Sequence, residues 1–210
     1  MHRRAALIII DVQVDFCPGG ALPVPKGDQV IHALNRYLEL FEQRSSPIFA
    51  SRDWHPRESK HFLENGGLWP PHCVKGTRGA EFHPSLMLPE ETIVISKGMA
   101  VWDNGYSAMH GVTENGTQFD MLLRRLELDR LYMGGLATDY CVKETVLDAL
   151  KGGFSVTLLA DAVRGVELQP GNSERAVAEM VEAGADLATL TSIGGLLPAE
   201  GRLHRLLGRG

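Results

Sequence analysis

Short apolar runs alternate with amphipathic segments along most of the chain, and this alternation is typical of β-α units that build a parallel sheet. Six of the apolar runs have the length expected of buried strands. They cover residues 7–10, 48–51, 92–96, 131–136, 154–160 and 187–190. The pattern therefore predicts a six-stranded, mostly parallel sheet.

Four other segments carry apolar residues at the 3.6-residue spacing of a helix that packs one face against such a sheet. The first follows Asp28, a candidate N-cap, and the others cover residues 117–126, 141–150 and 172–183. Gly152-Gly153 and Gly184 stand where two of these helices should end. The expected fold is α/β, a three-layer α/β/α architecture of Rossmann-like type in a single domain of residues 1–210.

Two stretches do not fit the alternation. Residues 53–82 are rich in His, Pro and Gly, and residues 101–115 have no clear periodicity. Both are long for loops in a compact domain, and loops of this length are usually functional.

Charge and hydropathy narrow the possible partners. The net charge of the 210 residues is −5 and no basic run is present, which argues against an extended nucleic-acid surface. No apolar stretch is long enough to span a membrane, and the apolar run at residues 5–10 is ended by Asp11, unlike the core of a signal peptide. We expect a cytoplasmic protein with a small-molecule partner and neither a nucleic-acid nor a membrane partner. Its oligomeric state, monomer or homo-oligomer, is left open.

The three cysteines form no C-x-x-C pair and, being odd in number, leave at least one thiol free. If Thr138 or Asp139 caps the helix that follows the fourth strand, Cys141 lies in the first turn of that helix. Backbone N–H groups there favour a thiolate and can also hold an oxyanion. The alternative is that Cys141 is a small core residue.

Ionisable residues follow the first four predicted strands: Asp11, Asp53, Lys97 and Cys141. Because parallel strands end at the same edge of a sheet, these side chains should lie close together. A nucleophilic thiol needs a base and a cationic neighbour, for which Asp11 and Lys97 are the candidates. Taken singly, each residue is also explained as a polar side chain at the point where a strand reaches the surface.

A second group consists of Asp53, His55, His61 and His72, all within the first long loop. Carboxylate and imidazole ligands suit Zn²⁺, and also Fe²⁺ or Mn²⁺, whereas the alternative is a run of surface histidines. Phe16 and Trp69 stand near these two groups in the sequence, and such an aromatic pair could sandwich a flat ring.

Several segments resemble the nicotinamidases and pyrazinamidases, a branch of the isochorismatase-like cysteine hydrolases. The resemblance runs in order across nearly the whole chain and is carried by residues 8–22, 51–56, 69–83, 96–98, 106–108 and 135–142. The D-x-H and W-P-P-H-C motifs at 53–55 and 69–73 are the most specific to this branch.

The resemblance implies hydrolysis of nicotinamide, with pyrazinamide also a plausible substrate, to the acid and ammonia through a cysteine thioester, a step that feeds NAD salvage. Cys141 would be the nucleophile, Asp11 the group that takes the thiol proton and passes it to ammonia, and Lys97 the cation beside both. The backbone N–H groups of Ala137 and Cys141 would hold the oxyanion, with a cis peptide between residues 136 and 137.

The same resemblance implies one divalent metal, most simply Zn²⁺, held by Asp53, His55, His61 and His72. The metal would bind the pyridine nitrogen of an aromatic amide, and the residues around that ring would be Phe16, Trp69 and Tyr106.

Two other functions remain open at this point. One is a related hydrolase of the same family, such as another cysteine amidohydrolase or a metal-free enzyme acting on a carbamoyl or vinyl-ether substrate, and the histidines argue against a metal-free enzyme. The other is a non-catalytic metal- or redox-responsive module with Cys141 as sensor. Asp11 and Lys97 argue against it, since a sensor needs no proton acceptor for a leaving amine.

Overall fold

A six-stranded sheet forms the centre of the structure, a computed structural model that describes residues 4–193. The strands lie in the order β3-β2-β1-β4-β5-β6, and each neighbouring pair is parallel. Their bounds are β1 Ala5–Ile10, β2 Ile48–Asp53, β3 Ile93–Lys97, β4 Arg130–Leu136, β5 Ser155–Arg164 and β6 Asp186–Ala188. All six predicted strands are confirmed, with the fifth running four residues further than the apolar pattern indicated.

Helices cover both faces of the sheet. They are α1 Val30–Gln43, α2 Phe119–Arg125, α3 Lys143–Lys151 and α4 Asn172–Glu182. On β1, Leu7 and Ile9 belong to the core shared with α1, whereas Ile8 and Ile10 belong to the core shared with the other three helices. Successive side chains of a strand point to opposite faces, so this buried strand contributes to both cores. The predicted three-layer architecture is confirmed.

The ends of the helices agree with the sequence only in part. Gly153 and Gly184 adopt positive φ just after α3 and α4, as expected of residues that end helices. The N-cap prediction for Asp28 is wrong. This residue lies inside a 3₁₀ turn, Gly27–Gln29, that leads directly into α1, and α1 has no side-chain cap bond.

The topology brings the carboxyl ends of β1, β2, β3 and β4 together at one edge of the sheet. The chain builds β1, β2 and β3 in one direction and then returns, so that β4 pairs with the other side of β1. Ligands bind at such switch points, in the crevice outside the carboxyl ends of the strands. Within residues 4–193, the connections between β2 and β3 and between β3 and α2 hold only one-turn 3₁₀ helices and isolated bridges. These two predicted loops are confirmed.

Across the described part of the chain, no helix combines the length and the apolar character needed to cross a bilayer. The predicted cellular location stays a prediction.

Candidate active site

Four functional side chains meet along the carboxyl edge of the sheet. Lys97 ends β3, Asp53 ends β2, Asp11 directly follows β1 and Cys141 lies five residues past β4. Because these strands are neighbours in that order, their ends bring the four residues together, as the sequence predicted. Each is at least nine-tenths buried, so their charges interact with little screening by water.

Lys97 is the central cation of this edge. Its Nζ lies 2.7 Å from Asp11 Oδ2 and 3.5 Å from Cys141 Sγ, and it also pairs with Asp53 and donates to the Gly105 carbonyl. Burial alone would lower the pKa of Lys97, but the two carboxylates outweigh burial and raise this pKa well above its ordinary value. The ammonium is therefore a fixed charge that serves both carboxylates and the thiol.

Asp11 and Cys141 form an acid-base pair. Burial raises the pKa of Asp11 to about 6 even though Lys97 opposes it, so the carboxylate form predominates at neutral pH. Burial also raises the pKa of Cys141 well above its ordinary value, despite the opposing effect of Lys97. The resting site thus holds a thiol beside a carboxylate that can accept its proton. The expectation that the start of a helix favours a thiolate is not met, because burial outweighs it.

The backbone around Cys141 differs from the predicted helix start. A wide π turn, Thr138–Val142, precedes α3, its N-cap is Ala137, and no side chain caps it. The predicted capping role of Thr138 or Asp139 is therefore wrong. The Asp139 carboxylate instead accepts hydrogen bonds of 2.8 and 3.0 Å from the N–H groups of Val166 and Glu167.

The segment leading into this turn contains the cis peptide bond that the resemblance implied. The peptide between Leu136 and Ala137 is cis. The Ala137 carbonyl accepts hydrogen bonds of 3.1 Å from the N–H groups of both Tyr140 and Val142. Two hydrogen bonds to the Ala137 carbonyl thus hold the π turn that contains Cys141.

Three buried histidines converge beside this edge. One donor atom from each of His55, His61 and His72 lies within 4.8 Å of the others. The Nδ1 atoms of His55 and His72 face the carbonyls of Gly98 and Pro70 at 3.0 and 2.7 Å. A carbonyl only accepts, so both Nδ1 atoms carry the proton and both Nε2 lone pairs are free to bind a metal.

The electrostatics of this histidine group suit a divalent metal. Burial lowers the pKa of His61 to about 4 and also lowers the pKa of His72, which keeps both rings neutral, the form that binds metal. Among the described residues, His55 Nε2 is buried without a hydrogen-bond partner. A bound ion would remove the cost of burying this atom unpaired. The residues present therefore fit a metal with nitrogen and oxygen ligands.

Asp53 lies between the histidine group and the Lys97 ammonium. One of its oxygens pairs with Lys97, and the other lies 3.6 Å from His55 Nε2. Burial works to raise the pKa of Asp53, but the Lys97 ammonium outweighs burial and holds this pKa below its ordinary range. The carboxylate is thus available to the histidine group on one side and to the catalytic cation on the other.

Aromatic side chains surround the histidines. The Phe16 ring lies 5.4 Å from His72, and the Tyr106 ring lies 5.3 Å from His61. Trp69 Nε1 donates a 3.0 Å hydrogen bond to the Tyr106 hydroxyl. All three residues predicted to contact substrate are therefore placed at this group. Tyr140, which the sequence reasoning did not assign to the pocket, meets Trp69 edge-on at 5.1 Å.

Two buried polar residues that support the site were missed from the sequence. Gln13 donates 2.9 Å bonds to the carbonyls of Asp53 and Ala80 and accepts one of 2.8 Å from Asp53 N–H. Ser51 donates a 2.7 Å bond to Asp11 Oδ1. For Ser51 the available signal was a polar side chain inside a predicted buried strand, since such a group must find a partner. Gln13 lies outside the predicted strands, and no signal in the sequence marked it.

Gly98→Ala is expected to destabilise the protein and weaken metal binding. Gly98 has φ +66°, and an added Cβ would collide with the His55 ring. We expect a loss of about 3 kcal/mol in the free energy of unfolding and at least a tenfold loss of bound metal.

Urea titration and elemental analysis measure these two effects, with Gly76→Ala as the matched control. Gly76 has φ +78° but no atom within 4 Å of an added Cβ, so the control should cost about 1 kcal/mol and keep its metal. Equal losses in the two variants would contradict the role of Gly98 in holding His55.

The chain is similar to proteins of one known family over most of its length. The isochorismatase domain family matches residues 5–192. The nicotinamidase of Escherichia coli is 41% identical, and the similarity covers 88% of this chain and 94% of that protein.

Two solved structures are also similar. The pyrazinamidase of Pyrococcus horikoshii in complex with zinc is 45% identical, with a TM-score of 0.81 over 89% of this chain and 99% of that one. PnC1 from L. infantum in complex with nicotinate is 35% identical, with a TM-score of 0.77 over 90% of this chain and 94% of that one. The chain belongs to the isochorismatase family.

Proposed function

We propose that the protein is a nicotinamidase that hydrolyses nicotinamide to nicotinate and ammonia, with pyrazinamide as a second substrate, and so feeds NAD salvage. The observation that carries this proposal is the placement of a thiol, a carboxylate and an ammonium directly beside three convergent buried histidines. Relatives named nicotinamidase and pyrazinamidase support it.

The first step is attack by Cys141 on the carboxamide carbon. As the S–C bond forms, the thiol proton passes to Asp11, whose carboxylate lies within reach of the sulfur. Lys97 stays protonated and offsets the negative charge that moves between sulfur and carboxylate.

The second step is loss of ammonia. Negative charge on the carbonyl oxygen would be stabilised by the backbone N–H groups of Ala137 and Cys141. Asp11 gives its proton to the departing amine, and the C–N bond breaks to leave a thioester on Cys141. Water then attacks the thioester and Asp11 takes its proton. This proton returns to the sulfur as the acid leaves.

The substrate ring is held beside the histidine group. His55, His61 and His72, together with Asp53, would hold one divalent metal, which we assign as zinc. When bound, this ion supplies a Lewis acid to which the ring nitrogen of the substrate can attach. Phe16, Trp69 and Tyr106 pack around the same space and exclude water from the ring.

The two other functions left open by the sequence fit less well. A metal-free hydrolase would have no use for three convergent buried histidines, two of which have a free Nε2 lone pair. A sensor module would have no use for a buried base that is charged at neutral pH beside the thiol. The arrangement is that of a hydrolase with a metal-binding substrate pocket.

Ammonia release from nicotinamide, pyrazinamide and benzamide tests the proposal. Benzamide carries the same carboxamide but lacks a ring nitrogen. We expect kcat/KM for nicotinamide to exceed that for benzamide on the order of 100-fold or more, because a site built for a polar ring atom rejects the analogue without it. Pyrazinamide should also be hydrolysed. Equal rates for nicotinamide and benzamide, or no release from nicotinamide, would refute the assignment.

A further inference from the structure

We propose that Ser51 is a positioning residue for Asp11. Ser51 fixes which oxygen of the Asp11 carboxylate exchanges protons with Cys141 and with the leaving amine. The inference rests on the proposed function, because it concerns the base of that reaction. Ser51 contacts Asp11 and not the reacting atoms, so its role is exerted through the carboxylate.

Ser51 holds Asp11 at two points. Ser51 lies on β2 opposite Ile10, the residue that precedes Asp11. Its hydroxyl donates a 2.7 Å hydrogen bond to Asp11 Oδ1, and its carbonyl accepts a 3.2 Å bond from Asp11 N–H. Both residues are fully buried, so water offers these groups no alternative partner.

Asp11 needs this restraint because its backbone is unfavourable. Its φ is +50°, in the left-handed region that residues other than glycine seldom adopt and that costs of order 1–3 kcal/mol. A residue in this conformation at the end of a strand keeps its orientation only where its surroundings hold it. Ser51 supplies contacts to both the main chain and the side chain.

The hydrogen bond from Ser51 gives the two oxygens of the Asp11 carboxylate different roles. Oδ1 accepts the hydrogen bond from the hydroxyl. Oδ2 forms an ion pair with Lys97 Nζ at 2.7 Å, but among the described residues it accepts no hydrogen bond. Oδ2 is therefore the oxygen left to accept the thiol proton and to return it to the amine. Without the hydroxyl, the carboxylate can turn about its terminal torsion, and the productive orientation becomes less populated.

Ser51→Ala and Ser51→Thr test this assignment, with Thr157→Val as control. Thr157 also buries a hydroxyl on a strand of this sheet, but among the described residues its Oγ1 has no hydrogen-bond partner. For Ser51→Ala we expect kcat for nicotinamide to fall about 10- to 100-fold while KM changes less than about twofold. Ser51→Thr, which keeps the hydroxyl, and Thr157→Val should stay within about threefold of wild type.

Alkylation of Cys141 by iodoacetamide, followed by mass spectrometry, is a second measurement that needs no substrate. With its base misplaced, the thiol in Ser51→Ala should react at least about fivefold more slowly than in wild type. Elemental analysis and thermal melting of each variant show that metal and fold are retained.

Wild-type kcat in Ser51→Ala, or the same loss in the alanine and threonine variants, would overturn the proposal. If the wild type releases no ammonia from any amide, the proposed function fails. The alkylation rates then still decide whether Ser51 positions Asp11.

Discussion

Replacing Cys141 by alanine is expected to reduce ammonia release from nicotinamide by at least about 10⁴-fold in kcat, because the variant cannot form the thioester. The side chain lies at the edge of the sheet and packs in the core beside α3, so the loss of one sulfur should leave the fold and the bound metal in place. A steady-state ammonia assay, with elemental analysis of the same preparation, measures both effects.

Cys17→Ala is the matched control. Cys17 is also buried, and burial raises the pKa of its thiol to about 11. Cys141 packs in the core shared with the other three helices, whereas Cys17 packs in the core shared with α1. Its replacement should leave kcat within about threefold of wild type. The wild type should in addition accumulate a nicotinoyl adduct on Cys141 when it is quenched in acid during turnover. Undiminished ammonia release by Cys141→Ala would remove Cys141 from the mechanism.

Replacing His72 or His55 by alanine is expected to lower bound metal at least about tenfold and kcat/KM by about 10²- to 10³-fold. Each substitution removes one of the three convergent imidazoles, and the two that remain, with Asp53, should hold a divalent ion more weakly. Metal content by elemental analysis and activity after dialysis against a chelator, then after readdition of zinc, measure the effect.

His110→Ala serves as the control for this pair. His110 has a side chain that is 78% exposed and does not belong to the histidine group, so its loss should leave metal content and activity unchanged. Chelation of the wild type should reproduce the low activity of the two variants, and zinc should restore the wild type only. Normal metal content in both His55→Ala and His72→Ala would contradict the site.

The grouping of the catalytic residues at the carboxyl edge of the sheet could be predicted, because it depends on few facts. Apolar runs mark where Ile10 and Leu136 end their strands, and parallel strands necessarily end on the same side of a sheet. The residues that follow, such as Asp11 and Cys141, must then be neighbours if their strands are. Strand order itself was not predicted, since periodicity along one strand contains no information about which strand lies beside it.

Other features depend on contacts between distant parts of the chain. The pattern of residues 141–150 is the same whether a helix starts directly or after a wide turn, so the π turn at Thr138–Val142 could not be foreseen. The direction of the pKa shift of Cys141 depends on how completely other segments cover it. The partner of Ser51 depends on the register between β1 and β2. These properties arise from packing and are absent from local sequence.

The three members of the histidine group and Trp69 belong to the connection between β2 and β3, whereas Asp11 and Lys97 stand at strand ends and Cys141 in the π turn after β4. Local unfolding of this connection would break only the contacts that the connection makes. It would leave the carboxyl edge of the sheet, with the catalytic residues, folded. A metal bound at His55, His61 and His72 joins three points of the connection and shortens the chain free to move, as a cross-link does. Loss of the ion and loss of the wall that encloses the substrate ring are then the same local unfolding event.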